Sequence, residues 1–455
     1  MKKRLFFITM LLILSAALVF AGGKQEEEGM EGTAAEEEDQ FITIHWAQWA
    51  PADYLQKLSE DFTEETGIEV IVEQTPWETF MQKYNVEMIA QSDAWDIIIG
   101  DSQDVGSMAM GGHYVELTDW IKENNVDEDF TEASITAYAE YPKGSERYYA
   151  VPAEGDCLGW AYRKDLFEDP DNKAAFKAEY GYELGVPESW DMMLDIAEFF
   201  HNPDEGFYGI SIYGDNGYDS LVMFAEQAIW TFGGDLGDYS TYQVDGILNS
   251  EGSVAGIEFY KDLWQYTPPG FSDAFFVKAN DAFTAGKVPM TCNYFAFLPA
   301  LANEATSPYA ADTGYFACPP QEGVDGKVRQ FSALGGQGAS VVTYSKKKDL
   351  AMKWLEWFIQ PEVQLKWAIM GGYSCHKDTL ETDEFLNATP YNPAFAKSLT
   401  IMKDFWAVPE YGQLLETFSK TVGAYIIRDE GTAEQALDKV TAQWTQIFED
   451  AGYLD

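Results

Sequence analysis

Groupings of residues that could carry covalent chemistry are scarce in this chain. The four histidines, His45, His113, His201 and His376, are scattered, with no HExxH pair, which argues against a transition-metal site. There is no GxSxG nucleophile turn and no GxxxxGK[ST] phosphate loop. Gly335-Gly336-Gln337-Gly338 lacks the third glycine of a dinucleotide fingerprint and reads as a flexible turn. Asp215-Asn216-Gly217-Tyr218-Asp219 places its glycine too early for a calcium loop. No metal and no cofactor is therefore expected. Carboxylates remain the open catalytic class, since 76 acids leave many pairs that could lie the roughly 5–9 Å apart that glycoside hydrolysis requires. For any single Asp or Glu the plainer reading is a solvated surface charge.

Aromatic and polar residues side by side are more informative. Trp46-Ala47-Gln48-Trp49 and Gly100-Asp101-Ser102-Gln103-Asp104 each follow a short apolar run that reads as a strand. Indole rings offer flat apolar faces to the C–H surfaces of a sugar, and Asp and Gln accept hydrogen bonds from its hydroxyls. That recognition needs no net charge on the ligand. Core packing competes for the same aromatic residues.

The elements that would position these residues follow from periodicity. Phe41–Trp46 reads as a strand. Pro51 starts a helix with Leu55, Leu58 and Phe62 on one face, stopped by Gly67. Ile68–Val72 is a second strand, and Phe80, Tyr84 and Met88 mark a helix from Pro76. Trp95–Ile99 is a third strand. This βαβαβ order predicts a parallel sheet covered on both faces, with ligands beyond the carboxyl ends of its strands. Those ends are Trp46–Asp53 and Gly100–Gly106. A second α/β region runs from Ala150 to about Asn293, with helices at Trp190–Phe200, Leu221–Phe232 and Ser253–Tyr266. The final hundred residues read as mostly helical, including Lys347–Ile359, Pro361–Met370 and Thr432–Phe448.

The chain has 455 residues, more than one core usually supports, and 29 Lys+Arg against 76 Asp+Glu give a net charge of −47. Such a polyanion is repelled by nucleic acid and by anionic membranes. Met1-Lys2-Lys3-Arg4, an apolar run from Leu5 to Phe20, and Val19-Phe20-Ala21 before Gly22 form an export signal over 1–21. An uncleaved anchor is disfavoured because the run falls short of the roughly 20 residues of a membrane span. Residues 22–40 read as an acidic disordered leader, with eight acids against one lysine between Lys24 and Asp39. Without signal and leader the folded part still carries roughly −43, which reads as the solvated exterior of an exported protein. No Cys stands at the cleavage point to take a lipid, which favours a free periplasmic or extracellular protein. Cys157, Cys292, Cys318 and Cys375 allow two disulfides, Cys292 with Cys318 being the favoured pair, or four buried thiols.

The order of segments FTEETGIEV (Phe62–Val70), WDIIIGD (Trp95–Asp101), YYAVPAEGDCLGWAYRKDLF (Tyr148–Phe167), FTAGKVPMTCN (Phe283–Asn293), YSKKKDLAMKWLEWF (Tyr344–Phe358) and GGYSCHKD (Gly371–Asp378) resembles the extracellular solute-binding proteins of ABC importers. Within them it is similar to the carbohydrate-binding group that includes maltose-binding protein. The resemblance implies an α/β, two-lobed periplasmic-binding-protein fold with a hinge and a helical C-terminal region. Carried onto this sequence, the hinge crossings fall near Ala150–Ala153, Thr291–Asn293 and Leu334–Gly338. Lobe one is then 41–150 plus 293–334, and lobe two 151–292 plus 335–455. Gly335, Gly336 and Gly338 supply backbone freedom for hinge closure.

The same resemblance implies ligand contacts from Trp46, Gln48, Trp49, Asp101 and Gln103, then Asp156 and Trp160 after the first hinge. Asp215, Asn216 and Tyr218 follow in the second lobe. Tyr294 and Phe295 come after the second hinge, and Tyr373 and Tyr411 complete the set. Tyr373-Ser374-Cys375 stands where family members often carry a proline. The expected function is capture of a mono- or oligosaccharide by a non-enzymatic monomer that delivers it to the membrane subunits of an ABC importer. A polyamine or other cationic solute is the rival ligand, and a secreted glycoside hydrolase the rival class.

Overall fold

The computed structural model describes residues 40–217 and 220–454, apart from the side chain of Glu78. The export signal, the acidic leader and Tyr218 lie outside the described residues. The chain opens with β1 (Phe41–Ala47), α1 (Ala50–Thr66), β2 (Glu69–Thr75), α2 (Trp77–Ile89) and β3 (Ile97–Asp101). Helix α1 buries Leu55, Leu58 and Phe62 and ends where Gly67 takes a left-handed conformation with φ 75°. All five elements match the periodicity within a few residues. Helices at Trp190–Phe200, Leu221–Thr231, Glu251–Trp264, Lys348–Phe358, Pro361–Met370 and Ala433–Asp450 do as well.

The sheet, by contrast, is mixed where a parallel one is expected. Strands β1 and β2 pair in parallel, as do β1 and β3, but the next neighbours run the other way. β4 (Val151–Arg163), β5 (Met290–Tyr294), β6 (Thr313–Phe316), the hairpin β7 (Gln321–Glu322) and β8 (Val328–Arg329), β9 (Ser332–Val341) and β10 (Met402–Lys403) follow in the chain. The main sheet runs β2-β1-β3-β9-β4-β5, with β6 on β4 and β10 on β9. Gly335–Gly338, expected as a flexible turn, is the middle of β9, held between β3 and β4. Its glycines serve close approach. A Cβ on Gly336, which has φ 97°, would lie 2.5 Å from both the Glu154 carbonyl oxygen and the Tyr138 hydroxyl.

Two hydrophobic cores flank this sheet, and the long strands belong to both. Along β4, Val151, Ala153 and Cys157 pack in the first core, while Leu158 and Trp160 pack in the second. Tyr294 is in the second and Phe295 in the first; Ala333 is in the second and Leu334 in the first. A further change comes at 402–408, where Met402 lies in the first core and Phe405 and Trp406 in the second. This packing departs from the expected lobe boundaries. Ala351, Trp354, Trp367, Phe385 and Phe395 all join the first core, so 335–455 does not form one body with lobe two. Likewise Phe316 and Cys318 join the second core although they lie within 293–334. The reason is topological: β9 lies beside β3, so the helices that follow it are delivered to the first core. All four cysteines are buried free thiols, so the Cys292–Cys318 disulfide is absent.

Candidate functional site

The register of three neighbouring strands builds the site. Asp101 at the end of β3 stands opposite Gln337 of β9, and Gln337 stands opposite Glu154 of β4. Residues opposite each other in antiparallel strands present side chains to the same face, so Asp101, Gln337 and Glu154 form a row across the sheet. Two residues along β4, Asp156 joins that face. The indole N–H of Trp46, at the end of β1, donates to Gln337 Oε1 at 2.8 Å and closes the row on the other side. The register therefore places a polar strip among first-core residues, Gln337 between Leu334 and Ala339 on β9 and Glu154 between Ala153 and Cys157 on β4, a few residues from where both strands reach the second core.

Each side chain on the strip is buried. Gln103 Nε2 donates to Asp101 Oδ2 at 3.2 Å. Asp156 Oδ1 accepts from the backbone N–H of Cys157 at 2.8 Å and of Ala296 at 3.2 Å. Glu154 is fully buried, and neither of its carboxylate oxygens has a hydrogen-bond partner. Burial, with the charges of Asp156 and Asp101 added, holds the Glu154 carboxyl well above its usual range. Burial likewise pushes Asp156 up to about 8, against the pull of its backbone donors. Tyr294, the last residue of β5, leans on the same crossing: a Cβ on Gly335 would lie 2.8 Å from its ring.

The remaining expected residues are dispersed. Trp49 is half-buried, edge-on to Trp46 at 5.5 Å and to Trp77 at 5.3 Å, and its indole N–H has no partner. Gln48 is exposed, with its backbone N–H bonded to Thr75 O. Trp160 is packed in the second core between Phe224 and Phe316. Phe295 packs on Phe395 in the first core, and Tyr373, at φ 56°, donates its hydroxyl to Phe295 O at 3.0 Å. Tyr411 starts the helix Tyr411–Arg428, edge-on to Phe405. Asp215 is half-buried, its backbone paired with Ala274 and Leu221. Asn216 faces Gly423 of that same helix and lines a surface recess of about 540 Å³ with Lys420, Arg428 and Lys439.

Residues 46–365 match the family described as bacterial extracellular solute-binding protein, well over half of the chain. The chain belongs to that family. This solute-binding protein is 22% identical over 408 residues to a probable amino-acid ABC transporter periplasmic-binding protein of Sinorhizobium fredii, covering 89% of this chain and 88% of that one. Among solved structures it is similar to the maltose-bound MalE3 of T. maritima, at TM-score 0.73 and 22% identity, over 90% of this chain and 99% of that one. It is also similar to the ribitol complex of an ABC transporter solute-binding protein from Agrobacterium radiobacter K84, at TM-score 0.71 and 21% identity, over 90% and 98%. The fold is that of the two-lobed binding proteins, and family and neighbours are binding proteins rather than enzymes. A small-molecule ligand and an ABC permease are the partners this membership implies. Among the described residues no helix is long and apolar enough to cross a membrane.

Two strip residues of this solute-binding protein, Glu154 and Gln337, escape the sequence reading. Gln337 is hidden by its glycines, which suggest a turn. Glu154 lies two residues before Asp156 in the same segment, and period-two alternation along an extended strand is the signal that links them.

Proposed function

We propose that the protein captures a mono- or oligosaccharide between its two lobes and presents the closed form to an ABC permease, acting as an exported monomer. The observation that carries this reading is the strip itself. Acceptors from Asp101, Glu154, Gln337 and Asp156, with Trp46 beside them, lie a few residues from where β4 and β9 pass from one core to the other. Lobe one is then built mainly around the first core and lobe two mainly around the second, with crossings near 157–158, 294–295, 333–334 and 402–408, although Ala161, Phe271, Ala274, Phe283 and Val288 also pack in the first core. A ligand on the strip touches both lobes only when they meet, so its differential affinity selects the closed state. The sugar and polyol complexes among the solved neighbours support a ligand of this kind. Calorimetric titration against a panel of sugars and polyols tests it. Saturable binding to a member of the panel is expected. Tight binding of an amino acid or polyamine, with no binding of any sugar or polyol, overturns it.

A further inference from the structure

Glu154 poses a problem that a plain sugar does not solve. Its carboxyl is fully buried in β4, both oxygens lack a hydrogen-bond partner, and the charged groups acting on it, Asp156 and Asp101, have its own sign. Burying an unpaired acid is costly, and a fold keeps one where something else compensates it. Among the described residues no donor and no cation compensates it. Lys143, the buried-facing lysine of the lobe junction, is committed elsewhere, donating to Phe405 O at 3.1 Å and facing Asp404. Among the described residues no three His, Cys, Asp or Glu side chains are placed to hold a metal ion, so the strip does not suit a bare divalent cation. Hydroxyls of a sugar can hydrogen-bond to the neutral carboxyl that burial favours at Glu154, but they do not stabilise its ionised form. An ammonium supplies three N–H donors and the opposite charge together. The row places Gln337 between Glu154 and Asp101, and the Trp46 indole on Gln337, which leaves polar and aromatic groups for the hydroxyls and C–H faces of the same ligand.

We propose that the ligand carries a protonated amine, as an amino sugar or an aminated polyol does, and that the ammonium sits on Glu154. This rests on the carbohydrate reading and narrows it to one chemical class. The large negative charge of the whole chain is not the argument; a single unpartnered buried carboxyl on the strip is.

Matched pairs test it on the mature protein by calorimetry: glucosamine against glucose, glucamine against sorbitol, and the glucosamine disaccharide against maltose, with spermidine and putrescine as sugar-free amines. The amine member of at least one pair binds tenfold or more tighter than its neutral partner. In Glu154→Gln, with folding checked by thermal unfolding, that ratio collapses towards one. A neutral sugar or polyol binding as tightly as, or tighter than, its amine counterpart overturns the inference and leaves the carbohydrate reading standing. Binding of spermidine or putrescine with no sugar of either kind overturns the carbohydrate reading and leaves the cationic seat in place. Silence from every probe counts against both, and an unchanged ratio in Glu154→Gln removes Glu154 as the seat.

Discussion

Two buried acids at the boundary between the cores are treated in opposite ways. Asp404, in the 402–408 crossing, has Lys143 facing it from the first core's side and its Oδ1 bonded to the N–H of Phe405 at 2.8 Å, while its Oδ2 has no hydrogen-bond partner and burial still raises its carboxyl. Lys143 also lies over the Tyr239 ring, whose hydroxyl donates to Asp404 O at 3.1 Å. Nearby, Lys403 is paired with Asp235 at 2.6 Å. Glu154 has none of this. Asp104 stands between the two cases, with the Tyr84 hydroxyl as a neutral donor and burial pushing it up to about 7. The two acids differ in what faces them: a lysine and a backbone N–H at Asp404, and no hydrogen-bond donor on either carboxylate oxygen of Glu154. The Asp404 cluster ties the junction together, whereas the Glu154 strip stores an unmet interaction that binding can release.

Breaking the Asp404 cluster gives a large expected effect. Lys143→Met removes the cation facing buried Asp404 and lowers unfolding stability by about 3 kcal/mol, read by urea denaturation. Of similar size is a pH effect through Asp104. Its folded-state value lies above the ordinary carboxyl value, so the folded chain holds a proton that the unfolded chain has released. Stability from this group is complete below about pH 4 and is lost as pH rises through about 7. The loss across the whole window is on the order of 3–4 kcal/mol, and thermal unfolding of Asp104→Asn across that window shows a flatter profile than the parent. The unsatisfied acid gives a change of the other sign. Glu154→Met, an apolar replacement of similar length, stabilises the ligand-free protein by about 1–2 kcal/mol in the same urea assay. If Glu154→Met destabilises instead, the contrast between the two acids fails.

Much of the framework is legible in the sequence because it is local. Leu55, Leu58 and Phe62 announce a helix by spacing alone, and Gly67 ends it. The βαβαβ start is read correctly for the same reason. Sheet partners are not local. Nothing near Gly335–Gly338 shows that β9 will lie between β3 and β4, because those strands are more than a hundred residues away. That the helices after residue 334 pack in the first core is hidden for the same cause. Within the candidate strip, Trp46 and Asp101 are named in sequence from strand ends and Asp156 through the family resemblance. Gln337 and Glu154 join them only through register. Trp160, named as a ligand contact through the resemblance, is enclosed by Phe224 and Phe316 in the second core.

The central claim is that a carbohydrate is held on the strip between the two cores. A crystal structure of the protein with the sugar or polyol that binds it most tightly tests this directly. The ligand is expected against Asp101, Glu154 and Gln337, with contacts from both lobes. A ligand seated in the surface recess beside Asn216, or touching only one lobe, contradicts it.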